Sequence, residues 1–166
     1  DAEYLEAIKE HPFVIVMDHT PEVVLKAMEG EPKAANRRVL IRRDALYLAI
    51  RESGIQEGHY HGLGAEVLKK LPEYLENPDV ILKTDNSSTR RMVLTSIPTK
   101  SGQAIISVEF ESIKDFEGGY EYFNVIVTVF DLHKNYLKGL FKKRSAEIKY
   151  EKEDLAQVNP QLYKWL

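Results

Sequence analysis

Cysteine is absent from the 166 residues, so no disulfide, thiolate nucleophile or cysteine–zinc site is available to this chain. The compartment stays open, because nothing in the chain depends on redox state. Long hydrophobic runs are lacking too. No stretch approaches the ~20 apolar residues of a membrane span, and no charged region leading into an apolar one marks a signal peptide. A basic excess is also missing. The net charge is −3, whereas nucleic-acid-binding domains are more often basic overall, so any site for a polyanion must be local. Finally, the patterns GxGxxG, GxxxxGK[ST], HExxH and GxSxG do not occur. This argues against dinucleotide oxidoreductases, P-loop enzymes, zincins and nucleophile-elbow hydrolases.

What is present suits one soluble domain spanning residues 1–166. Hydrophobic residues make up 43% and charged residues 30%, an ordinary balance for a chain that buries a core, and the length fits one domain of ~150 residues. The first residue is Asp1 rather than Met, which leads us to expect the C-terminal part of a longer protein. Basic residues gather at Arg37-Arg38, Arg42-Arg43, Arg90-Arg91 and Lys142-Lys143-Arg144. Each run taken alone reads first as a solvated surface.

The hydrophobic period changes midway. In the first half, residues 13–17 and 39–41 read as short strands. Thr20-Pro21-Glu22 reads as a helix start, with Thr20 as N-cap and Pro21 in the first turn, and that helix ends before Gly30. Asp44 is placed to cap a helix running to about residue 52. A helix over residues 64–71 is followed by Pro72, which must kink it or begin a second one, and Asn77-Pro78 ends the segment. In the second half the period is two. Strands are expected over residues 80–83, 92–97, 103–111, 123–130 and 148–150, with a helix near residues 135–142. Strict alternation would turn Phe123, Val125, Val127 and Val129 one way and Asn124, Ile126, Thr128 and Phe130 the other. Tight turns favour antiparallel pairing. The expected class is therefore α+β, with N-terminal helices packed on one face of a small antiparallel β-sheet and the other face open as a floor for a substrate.

One stretch looks most like chemistry: Gly58-His59-Tyr60-His61-Gly62-Leu63-Gly64, directly before the helix. It holds two of the five histidines. Imidazole, with an unperturbed pKa of ~6.5, both takes and gives a proton near neutrality. Three readings fit the pair locally: acid/base groups, part of a metal site, or hydrogen-bonded loop residues. A zinc site needs at least three protein ligands, and Glu57 and Glu66 complete no clear motif. Thr128 is a small polar residue in an otherwise apolar strand, read either as a hydroxyl able to donate to a phosphate oxygen or as a good strand former. His133, just past that strand, reads as a neighbour of the same floor or as a surface residue.

The order of features resembles a known group. His61-Gly62-Leu63, then Glu66-Val67-Leu68-Lys69-Lys70-Leu71-Pro72-Glu73-Tyr74-Leu75-Glu76-Asn77-Pro78, is followed by the strands Val80-Ile81-Leu82 and Met92-Val93-Leu94-Thr95. Then come Gly102-Gln103-Ala104-Ile105-Ile106-Ser107-Val108 and a late Thr128-Val129-Phe130. The pattern is similar to the phage and polymorphic-toxin nuclease domains of the barnase–EndoU–colicin–RelE-like (BECR) group, found at the C-terminus of MuF-type phage head proteins. The lead-in Phe13-Val14-Ile15-Val16 and Thr20-Pro21-Glu22-Val23-Val24-Leu25 resembles that group too.

The resemblance implies a BECR-like fold and RNA cleavage without metal or cofactor. A base would remove the 2′-OH proton and an acid would protonate the leaving 5′-oxygen. His61 would be one of these groups, with His59 or His133 the other. Thr128 would hydrogen-bond the phosphate, and Arg42, Arg43 and Arg51 would bind substrate and offset charge on the transition state. The implied partners are RNA, tRNA included, and a cognate immunity protein. The implied route is secretion or phage delivery into a target-cell cytoplasm. A second function class stays open, a non-catalytic interaction module of a phage or secreted protein, since Tyr60, Tyr120 and Tyr122 are of a type enriched at protein interfaces.

Overall fold

The apolar run Phe13–Met17 forms strand β1, and the loop after it leads into helix α1, Glu22–Ala27. The structure, a computed structural model, describes residues 13–31, 34–50, 69–84, 90–95, 103–116, 119–132, 138–139 and 146–166. Next come β2 (Val39–Arg42), α2 (Arg43–Ile50) and α3 (Leu71–Glu76). The chain then forms β3 (Val80–Thr84), β4 (Arg90–Thr95), β5 (Gln103–Phe116) and β6 (Gly119–Leu132). It ends with β7 (Ala146–Glu151) and two short helices, α4 (Leu155–Val158) and α5 (Pro160–Trp165).

The expected α+β class holds. All the strands join one sheet in the order β1-β2-β6-β5-β4-β3-β7. The run β3 to β6 is the antiparallel meander that the period-two pattern implies. The sheet departs from purely antiparallel at one place: β2 lies parallel to β6, with Val39, Leu40 and Ile41 opposite Asn124, Val125 and Ile126. A parallel neighbour cannot be joined by a tight turn. It comes from the distant first half of the chain, beyond the reach of local patterning.

Alternation along β2 splits the core in two. Val39 and Ile41 enter a cluster with Val24, Ala27 and Met28 of the α1 region, Ala45 and Leu46 of α2, and Leu71 and Leu75 of α3. Leu40 turns to the opposite face with Phe123 and Val125, flanked by Phe13, Ile15 and Val127. That second face is therefore not the open floor expected over these strands, since Leu40, Phe123 and Val125 are buried. Alternation along β6 also fails at one point. Ser107 pairs with Thr128 but Val108 pairs with Ile126, so β6 carries an extra residue there. A bulge of this kind reverses the facing of the residues beyond it. Val129 accordingly packs with Ile126 on the helix side instead of with Val125.

Two local expectations are also revised. Thr20 does not cap α1. Pro21 occupies the N-cap with extended ψ (143°) and no side-chain cap bond, and its carbonyl accepts from Val24 and Leu25. Pro72 resolves the kink-or-start alternative by standing in the first turn of α3. Asn77 closes that helix, its backbone N–H donating to the Glu73 carbonyl at 3.1 Å. The C-terminal helices were not foreseen. They bury Leu155 and Leu162 and are tied to buried Asp79, which accepts from Asn159 Nδ2 at 3.2 Å and pairs with Lys152 at 3.4 Å.

Arg91 shows that a basic run need not be surface. Its side chain is 0% exposed. Nε donates to the Ala27 carbonyl at 2.8 Å, Nη1 to the Arg90 carbonyl at 3.1 Å and Nη2 to Glu31 Oε1 at 3.0 Å. Lys83 Nζ donates to the same oxygen at 3.1 Å. Gly30, at φ 91°, makes the left-handed turn that returns Glu31 toward this pair. The Arg91 hydrogen bond, aided by Lys83, holds the Glu31 carboxyl below its ordinary value of 4.5. A depressed carboxyl contributes stability above the unfolded pKa and loses it as pH falls. Glu31→Gln should therefore lower the melting temperature at pH 7 and lose less stability than the parent between pH 5 and pH 3, read by thermal melts across that range. Arg91→Met should be better tolerated than Arg91→Ala, because the longer side chain refills the volume that alanine leaves as a cavity.

Candidate functional site

The parallel pair β2–β6 gathers several of the candidate residues. Ile41 lies opposite Ile126, and parallel neighbours stand about 4.8 Å apart. One residue further Arg42 ends β2, and Arg43 begins α2. Two residues further along β6 comes Thr128. The arginines and Thr128 thus lie just past the last paired residues of β2 and β6. Helix α2 begins at Arg43 without a connecting loop, so the chain turns sharply there and presents the helix start at the same place.

Arg42 is about half exposed, yet its Nε is enclosed and makes no hydrogen bond. The nearest acid is Asp44, whose Oδ1 lies 3.7 Å from that nitrogen. Asp44 was expected to cap α2. The helix instead starts one residue earlier, and Asp44 Oδ1 accepts from the Ala45 N–H at 2.9 Å. The carboxylate therefore anchors the first turn and stands beside the guanidinium. A guanidinium keeps its charge at any relevant pH and offers directional donors to an oxyanion. Of the other candidates, His59, His61, Arg51 and His133 lie outside the described residues.

A polar network sets the level of β2 against β6, and sequence reading missed it. Asn124, fully buried on β6, donates through Nδ2 to Thr20 Oγ1 at 2.8 Å and to the Ala35 carbonyl at 3.1 Å. Its backbone N–H donates to the Arg38 carbonyl at 3.1 Å. Thr20 Oγ1 in turn donates to the Arg37 carbonyl at 2.7 Å, and the Thr20 N–H donates to Asn36 Oδ1 at 3.0 Å. Residues 34–38, the segment entering β2, are thus held from two sides. One signal was available: an asparagine between Phe123 and Val125 in an apolar strand is depleted on propensity grounds and needs a partner when buried.

Around the start of β2 the arginines have aromatic partners. The Arg37 guanidinium lies 5.6 Å from the Tyr122 ring centroid, and that of Arg38 lies 5.8 Å from Phe123. Arg38 also pairs with Glu121 at 3.5 Å and Asp18 at 3.8 Å.

Replacing Asn124 by alanine removes these two Nδ2 bonds and leaves Thr20 and the Ala35 carbonyl short of that donor. A loss of about 1–3 kcal/mol in unfolding free energy is expected from such a buried polar deletion. It should appear in denaturant melts together with faster amide exchange in residues 34–42.

The phage MuF C-terminal domain model matches residues 53–156, more than half of the chain. The match spans the histidine loop, α3 and β3 to β7, while β1, α1, β2 and α2 precede it. No curated protein and no solved structure matches the chain. The chain belongs to the phage MuF C-terminal domain family.

Proposed function

We propose that this domain is a metal-independent endoribonuclease of the toxin type, with the BECR-like active site implied by its sequence order. The observation that carries the reading is the position of Arg42, Arg43 and Thr128 just past the last paired residues of β2 and β6, in a chain of a phage-associated family. Acid/base cleavage of RNA needs a general base, a general acid and donors for the phosphate oxygens. His61 and either His59 or His133 supply the proton transfers. One imidazole takes the 2′-OH proton, the 2′-oxygen attacks the adjacent phosphorus, and the bond to the 5′-oxygen breaks as the other imidazole protonates it. The product is a 2′,3′-cyclic phosphate and a free 5′-hydroxyl. Thr128 and Arg42 serve the non-bridging oxygens, with Arg43 and Arg51 adding positive charge.

A producer of such a domain needs protection. The reading therefore includes a cognate immunity protein that covers the histidine loop, and a target RNA in a recipient-cell cytoplasm. A second reading, a non-catalytic interaction module, is favoured by the exposure of Tyr122.

Induced expression of the parent chain and of His61→Ala, followed by sequencing of RNA ends, separates the two. The nuclease reading expects growth arrest and new 5′-hydroxyl ends with the parent, both lost in His61→Ala. Arg42→Ala should cut the cleavage rate by roughly 10²–10³-fold. A chelator should leave cleavage intact, and a 2′-deoxy substitution at the scissile nucleotide should stop it. Full cleavage by His61→Ala would refute the assignment. A parent chain that is harmless and leaves bulk RNA, tRNA and ribosomal RNA whole would favour the interaction module.

A further inference from the structure

Tyr122 is a large aromatic on β6 that the proposed cleavage chemistry does not use, and it is 47% exposed. The residues after it on the same strand are buried: Phe123, Asn124, Val125 and Ile126. The Arg37 guanidinium sits over its ring at 5.6 Å. Strand alternation puts Tyr122 on the side of Asn124 and Ile126, beside the segment 34–38. Phe123, with Arg38 over it, belongs to the opposite face. The network from Thr20 Oγ1 to the Arg37 carbonyl fixes the backbone that carries the Arg37 guanidinium.

We propose that Tyr122 and Arg37 form a stacking site for an unpaired nucleobase of single-stranded RNA, separate from the cleavage centre. The inference rests on the RNA-directed reading above and adds a subsite to it. An exposed ring and a planar guanidinium, held together by the fold, offer a flat, electron-rich and cationic surface. Unstacked bases bind such surfaces whatever their sequence. Tyr122 and Thr128 are six residues apart on β6, with the bulge between them reversing the facing of the strand. The site is therefore separate from the proposed cleavage centre, and it acts on affinity more than on the chemical step.

The test is binding of the full chain to a fluorescein-labelled 2′-O-methyl oligonucleotide, which lacks the 2′-hydroxyl needed for cleavage, measured by anisotropy at fixed salt. Tyr122→Ala should weaken binding roughly ten- to hundredfold, while Tyr122→Phe binds like the parent. Arg37→Ala should weaken binding and flatten its salt dependence. Unchanged melting temperatures would show that the variants fold. Equal affinity of Tyr122→Ala and the parent overturns the proposal, as does failure of the parent to bind the oligonucleotide. A Tyr122→Ala change that abolishes capture of a protein partner and spares oligonucleotide binding also overturns it. Tyr122-dependent binding by a chain that cleaves no RNA would sink the nuclease reading alone. Cleavage with Tyr122-independent binding would sink this inference alone.

Discussion

The architecture depends on one buried hydrogen-bonded junction, Asn124 with Thr20 and the segment 34–38. β2 has no turn to hold it beside β6. Only four residues long, it is a weak strand by itself, and its parallel neighbour arrives much later in the chain. The Asn124 amide and the Thr20 hydroxyl supply the missing constraint. They pair buried groups that would each carry a desolvation cost if left alone, and they do so only when Val39 is level with Asn124. Shifting a strand by one residue would exchange its two faces, here sending Leu40 into the helix-side core and Val39 and Ile41 out of it. The junction therefore selects the register, and the register sets where Arg42 and Arg43 emerge.

A second constraint works on the other half of the sheet. Arg91 and Lys83 converge on Glu31, just past α1, so the helix is fastened to β3 and β4 by charge as well as by apolar packing. Buried ion pairs add less net stability than their geometry suggests, because both charges give up water. Their value here is positional: two donors of one guanidinium, to the Ala27 carbonyl and Glu31, hold the α1 C-terminus over the sheet. Asp79 does similar work for the C-terminal helices.

Local patterning made the individual elements legible. Residues 13–17 read as a strand because five apolar residues occur in a row, and Asn77-Pro78 read as a helix end because proline cannot continue one. The α+β class came from the change of period. Patterning did not reveal the features that depend on distant partners. The parallel β2–β6 pair is non-local, and the bulge that turns Val129 to the helix side breaks the alternation rule from within. Arg91 looked like half of a surface run, yet it is buried, since its partners Glu31 and Ala27 lie some sixty residues earlier. Thr20 was read from its immediate neighbours as a helix cap, whereas its hydroxyl serves residues further on. For the site, Arg42, Arg43 and Thr128 were named from type and resemblance. Their common position past the β2–β6 pairing required the topology, and the histidines rest on sequence alone.

These constraints combine into one functional account. The polar junction sets β2 beside β6, Arg42 and Thr128 lie just past their last paired residues, and that place is proposed to hold the phosphate during RNA cleavage. If so, Arg42 and Thr128 act on the same oxyanion and their effects must be coupled. The direct measurement is a double-mutant cycle on the cleavage rate of one oligonucleotide, comparing the parent, Arg42→Ala, Thr128→Val and the double variant. The account predicts a coupling energy of at least about 0.5 kcal/mol, with the double variant little worse than the poorer single one. Strictly additive losses, or a parent chain that cleaves no RNA, would contradict it.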